Sequence, residues 1–149
     1  MRTLTLVVRT LLGLAFVFFG LNYFVGFLPA KPPEDPAAGV FLGALVSGKV
    51  LGLAKAIEVA AGLALLSNRF VPLALALLAP ILVNINLFHI VFAPAGLPLT
   101  LGLVVLELYL AWAYRGAFLP MLQARVEPSL SIAADFGGER GTLEAWPRR

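Results

Sequence analysis

Lys55 and Glu58 stand three residues apart inside LGLAKAIEVAAGLALL, a stretch otherwise built of aliphatic and small residues. Glu107 sits in a similar run, VVLELYLAW, and Asn22, Asn84, Asn86 and His89 interrupt two more. A charge at the centre of a bilayer costs about 2.5–3.5 kcal/mol on insertion scales. Such groups must therefore be held by one another, by other helices or by a ligand. Residues i and i+3 share a helix face, so Lys55 and Glu58 can form an ion pair. Ala54, Ala61 and Gly62 fall on that same face, and small residues let a neighbouring helix come close. Glu107 can hydrogen-bond Asn84 or serve as a step in a proton relay. Lys55, Asn84 and His89 can donate to the carbonyls of a quinone whose tail lies between apolar walls. Asn22 and Asn86 can join helices by hydrogen bonds, and Arg9 can snorkel toward head groups. The candidates for ligand binding or proton relay are thus Lys55, Glu58, Asn84, Asn86, His89, Glu107 and Asn22.

Other chemistries lack their parts. With a single histidine and no cysteine, the chain alone cannot supply bis-histidine haem ligation. It has no disulfides, thiol redox chemistry or thiolate metal site. A di-iron bundle needs Glu-x-x-His pairs from two helices, and the sequence has none. Neither a GxSxG elbow nor a Gly-rich phosphate loop is present. Asn86-x-x-His89 does not make a metal site. Lys55 could act as a nucleophile if desolvated, but no base-and-carbonyl logic in the sequence supports that. No side chain is redox-active, so independent catalysis is not expected. Three uses of the buried groups survive: a proton relay, a pocket for a polar ligand, or a quinone site.

The elements that position these groups are dictated by composition. The chain of 149 residues is 60% hydrophobic and 13% charged, with a mean hydropathy of +0.95. Soluble domains are roughly 45–50% apolar and about 25% charged. The formal charge is +3, yet no basic stripe with interleaved aromatics points to nucleic acid. An apolar run of about 20 residues spans the hydrocarbon as a helix. Four segments meet that length, at about 4–28, 50–66, 70–92 and 97–114. The first is too long for a signal-peptide h-region, and no clear A-x-A site follows it.

Arg2, Arg9, Arg69, Arg115, Arg125, Arg140, Arg148 and Arg149 fall on one side of this arrangement, against Lys31 and Lys49 on the other. Eight against two places both termini in the cytoplasm by the positive-inside rule. In the first external loop, Asp35-Pro36 provides an N-cap and a proline at N1. The apolar stretch after it is too short to span and is expected to lie in the outer interface. APAGLP forms a tight external turn. Asn68 and Pro72 mark the start of the third span, and Pro80 should bend it. Residues 1–119 form the four-helix domain, with the fourth helix reaching about Pro120. Residues 120–149 form a cytoplasmic tail that is a candidate contact for a partner chain.

At about 1.5 Å per residue, Glu58 and Glu107 fall near the midplane and Lys55 one turn above. Asn84 matches Lys55, Asn86 lies slightly higher, and His89 and Asn22 lie in the outer half. The inner third contributes only Arg9. One polar cavity opening outward is the expectation. A weak internal symmetry accompanies it: Leu51-Gly52-Leu53 precedes Glu58, and Leu101-Gly102-Leu103 precedes Glu107. Arg9 and Arg69, and Asn22 and Asn84, correspond in the other helices, as two parallel hairpins would place them.

Arg9-x-x-Leu12-Gly13 with Phe19-Gly20, then Lys55-x-x-Glu58-x-x-x-Gly62-Leu63, resemble the DoxX family of small four-helix membrane proteins. Arg69 to His89, with Val71-Pro72-Leu73-Ala74, Ala79-Pro80-Ile81, Val83-Asn84-Ile85 and Phe88-His89, is similar to a subgroup of that family. The resemblance runs from about Arg9 to Leu119 and spares the tail. It implies a four-helix integral protein of the bacterial plasma membrane. Family members are associated with redox systems, namely thiosulfate-to-quinone oxidation in archaea and oxidative-stress assemblies in bacteria. It carries Glu58 and His89 over as site residues. The function so implied is an accessory subunit of a membrane redox complex, in contact with lipids and other membrane subunits, with a pocket for a quinone or lipid. A proton-coupled carrier using Glu58 and Glu107, or a purely structural bundle, are the alternatives.

Overall fold

The computed structural model describes residues 2–29 and 33–124. The apolar runs are helices: α1 (Arg2–Val25), α2 (Pro36–Ser47), α3 (Val50–Leu66), α4 (Val71–Phe92), α5 (Leu97–Ala113) and a single turn, α6 (Arg115–Phe118). Short 3-10 turns at Pro94–Gly96 and Leu119–Leu122 complete the described residues, which contain no strand. Arg2–Val25, Val71–Phe92 and Pro94–Ala113 are each long and apolar enough to cross a membrane. Helices α2 and α3 meet that test only together, as a pair bent by 77°. The fold is thus an all-helical bundle with three such helices, or four if the bent pair counts as one.

Local chemistry sets the helix ends. Helix α1 stops at Val25, three residues before the expected 28, because Gly26 turns left-handed at φ 68°. Glycine accepts that conformation without strain. Its N–H donates to the Asn22 carbonyl at 2.8 Å, the usual αL closure. At α2 the expected cap is present: Asp35 Oδ1 accepts from the Ala37 N–H at 2.8 Å, with Pro36 opening the helix. Lys49, left-handed at φ 61°, makes the corner into α3. The expected cap of α4 at Asn68 is corrected by two residues. Asn68 and Phe70 are both left-handed, Phe70 is the N-cap, and Pro72 occupies the first turn. Asn68 tolerates that backbone, so it shapes the turn rather than capping the helix. Helix α4 continues through Pro80 to Phe92. The fourth helix does not run unbroken to Pro120; it ends at Ala113 and restarts as α6. The candidate tail contact lies mostly outside the described residues, which end at 124.

Helices α1 and α3 pack most extensively, antiparallel, across glycines. A Cβ on Gly62 would lie 2.8 Å from the Gly13 carbonyl oxygen, and one on Gly13 would lie 3.0 Å from that of Gly62. The backbones therefore touch there, as small residues permit. Leu12 and Phe16 of α1, Leu65 of α3, Leu75, Leu78 and Leu82 of α4, and Leu110 of α5 form one core. Thr5 Oγ1 and Tyr109 Oη share a hydrogen bond of 3.2 Å, which brings the start of α1 beside the end of α5. Both ends of the bundle's path therefore emerge on the same side. The end of the bundle expected to contribute only Arg9 holds this polar pair as well, and Arg9 Nε is buried with no hydrogen-bond partner among the described residues.

Candidate functional site

On α3, Lys55 and Glu58 form the expected i,i+3 pair. The Lys55 ammonium donates to Glu58 Oε1 at 2.9 Å and to Oε2 at 2.8 Å. Glu58 is only 2% exposed, so both its oxygens are held by charge-assisted bonds in a dry setting. The pair is close to α1 because Gly20 lies against it. A Cβ there would approach the Lys55 carbonyl oxygen at 3.2 Å and Val59 Cγ2 at 2.6 Å. The ammonium has a third N–H, and Lys55 borders a cavity.

That cavity, of about 350 Å³, is bordered by Phe16 and Phe19 of α1, by Leu51, Lys55 and Glu58 of α3, by Asn84, Ile85, Phe88 and His89 of α4, and by Leu99, Thr100 and Leu103 of α5. Phe41, Leu42 and Leu45 of α2 border it as well. Aromatic contacts fix α2 there: Phe41 stacks on Phe88 at 6.2 Å and meets Phe92 at 5.9 Å. Helix α2 is thus part of the cavity's lining. Asn84 is exposed at the cavity's flank, and its side chain has no hydrogen-bond partner among the described residues. Phe19, Phe41 and Leu99 of the same lining are exposed as well.

No family model, curated protein or solved structure matches the chain. What the site can do has to follow from its own geometry. Its volume lies within the range of about 300–1,000 Å³ typical of small-molecule pockets. Its walls are aliphatic and aromatic, and its polar groups are few and clustered. His89 Nδ1 lies 2.8 Å from the Ile85 carbonyl and donates to it, so in the neutral ring Nε2 is an acceptor. The ring rests on Gly96 in the α4–α5 turn, where any Cβ would collide with it. His89 is held in place and can accept a proton-bearing group; its donor is spent. Among the described residues, Asn84 and Lys55 keep N–H groups without an acceptor. This arrangement suits a molecule with a carbonyl or hydroxyl head and an apolar body.

The other predicted residues are elsewhere. Asn22 ties down the loop after α1, its Oδ1 accepting from the Leu28 N–H at 2.7 Å. Asn86 is buried between α4 and α5. Its Nδ2 donates to the Leu82 carbonyl at 2.8 Å, and its Oδ1 accepts from the Thr100 hydroxyl at 2.9 Å. That is helix joining, one of the two roles foreseen for it. Thr100 was not among the sequence candidates. Its signal was its register: it shares a helical face with Leu103 and Glu107, at i, i+3 and i+7. Glu107 and Asn84 do not bond. Glu107, 7% exposed, lines a separate groove of about 460 Å³ between α4 and α5, and its Oε1 has no hydrogen-bond partner. The single polar cavity expected from depth alone is two cavities.

Proposed function

We propose that the chain is a four-pass membrane protein of DoxX type that holds the head of a quinone or lipid in the cavity beside Lys55, Asn84 and His89. In this reading it is an accessory subunit of a membrane redox complex in the bacterial plasma membrane. One observation carries it: the exposed Asn84 amide, with no hydrogen-bond partner among the described residues, lines a cavity whose walls are mostly aliphatic and aromatic. A ligand entering past Asn84 would meet that donor first and the Lys55 ammonium beyond it. A quinone carbonyl can accept from either, while His89 Nε2 can accept from a quinol hydroxyl. Glu58 neutralises Lys55, so the head group need not carry charge. The resemblance at Arg9, Lys55, Glu58 and the Arg69–His89 stretch supports the redox setting.

Helix α3 crosses the membrane with its 17 residues, at the short end of the spanning range. Helix α2, bent 77° from it and apolar over most of its length, lies in the outer interface as a lid. Both termini face the cytoplasm, following the arginines at the other end. The carrier reading is less well supported, because Glu58 and Glu107 border different cavities.

The test is extraction of the protein purified from bacterial membranes in mild detergent, with the extract analysed by mass spectrometry. Wild type should retain a quinone or a defined lipid together with partner subunits. The Asn84→Leu variant, changed at an exposed position, should fold and retain several-fold less. A wild-type protein that runs as a lone chain without quinone or lipid ends the proposal.

A further inference from the structure

The groove between α4 and α5 is separate from the cavity just assigned, and among the described residues Glu107 is its only ionisable lining residue. Along α4 its wall is made of Ala76, Ala79 and Val83, with Leu108 and Ala111 on α5. Phe118 of α6, packed on the core, lines the end nearest the tail. The Glu107 residue is more than nine-tenths buried, and its Oε1 has no donor. Buried acceptors in native proteins are nearly always satisfied, so an orphan needs an explanation. A second acceptor lies in the same wall. Pro80 has no N–H, so the Ala76 carbonyl lacks its helical donor, and Ala76 borders the groove.

We propose that this groove binds a single-chain neutral lipid with a hydroxyl head, whose O–H donates to Glu107. The groove's volume of about 460 Å³ fits a small ligand. Asn86 also lines the groove, but its amide is engaged with Leu82 and Thr100. The groups left without partners among the described residues, Glu107 Oε1 and the Ala76 carbonyl, are acceptors, so the ligand must bring the donor. A hydroxyl is stripped of water at far less cost than an ammonium, which favours an alcohol over an amine. A spanning helix from another subunit is the rival occupant, and chain-to-chain crosslinking through the groove decides between the two. This inference does not rest on the quinone or lipid reading of the first cavity.

The probe is hexadecanol carrying a mid-chain diazirine, photolysed with the full chain in nanodiscs. Peptides bearing Ala79, Val83 or Leu108 should be labelled. Plain hexadecanol should compete at roughly tenfold lower concentration than its methyl ether, the loss expected for one hydrogen bond. Glu107→Gln keeps an acceptor and should keep the label. Glu107→Leu should lose it by about the same factor, while Asn84→Leu, in the other cavity, should leave it unchanged. Equal competition by alcohol and ether overturns the proposal, even if Glu107→Leu does not fold. So does label confined to α2 and α3, label that persists in folded Glu107→Leu, or chain-to-chain crosslinks through the groove.

Discussion

Two glutamates follow the same tripeptide on two helices and reach opposite fates. Glu58 comes after Leu51-Gly52-Leu53 and Glu107 after Leu101-Gly102-Leu103. Both are buried. Glu58 has Lys55 three residues earlier and holds it with both oxygens. Glu107 has Val104 at that place, and its Oε1 is unpaired. Four residues on, Glu58 is followed by Gly62, which lets α1 close against α3. Glu107 is followed by Ala111, which lines an open groove. The comparison teaches that a buried carboxyl is not one kind of feature. A cation at i−3 and a glycine at i+4 give a carboxyl whose two oxygens are both bonded beside a closely packed helix; their absence leaves an acceptor unpaired beside a groove.

The strongest way to break this contrast is to remove the lysine alone. Lys55→Met strands Glu58 in a site where it is 2% exposed. Breaking one partner of a buried pair costs about 3–5 kcal/mol. Titration with SDS, followed by circular dichroism, should show unfolding at much lower denaturant. Adding Glu58→Leu should recover most of the loss, because a paired buried charge and an apolar substitute are often similar in stability. If Lys55→Met unfolds like wild type, the pair is not what holds α3 in place.

The glycines give the next effect. Gly62→Ala places a methyl 2.8 Å from both the Gly13 carbonyl oxygen and Val17 Cγ2. One of those neighbours is backbone, so the helices must separate, at about 1–3 kcal/mol for overpacking. Gly102→Ala meets nothing within 4 Å and should leave stability unchanged or slightly raised, since alanine favours helix. Equal losses at the two positions would erase the distinction between sealed seam and open groove. Glu107→Leu sharpens it from the other side. Removing an unsatisfied buried acceptor should raise the stability of ligand-free protein by about 1 kcal/mol, where Glu58→Leu alone, which strands Lys55, should lower it.

Much of this was legible in the sequence, and the misses share one cause. The apolar runs, the Asp35-Pro36 cap and the Lys55–Glu58 pair all follow from local spacing, which is a property of one helix. Placing Glu58, Glu107, Asn84 and Asn86 in one cavity used depth alone. Asn84 and Asn86 are two residues apart, about 200° around a helix of 3.6 residues per turn, so they could not face one site. The division between the two cavities depends on how α4 and α5 pack, and no single-helix period reports it. Asn22 looked like a membrane polar group; it proved to be a loop tie, because Gly26 ended α1 early. The left-handed Phe70 has no sequence signal that favours it, since aromatic residues seldom adopt that backbone.

The smallest effect tests the partition itself. Thr100 borders the first cavity and Asn86 borders the groove, and their hydrogen bond of 2.9 Å runs between them. Thr100→Val keeps the shape and removes the donor. Asn86 still donates to the Leu82 carbonyl, so only one acceptor is left without its partner. Bonds of this kind between membrane helices average about 0.6 kcal/mol, and the SDS midpoint should fall by that little. Gly62→Ala should cost several times more, because it moves backbone where Thr100→Val moves none. A Thr100→Val loss as large as that of Gly62→Ala would mean that α4 and α5 depend on this one bond as α1 and α3 depend on their glycines. The open side of the molecule would then be no looser than the sealed one.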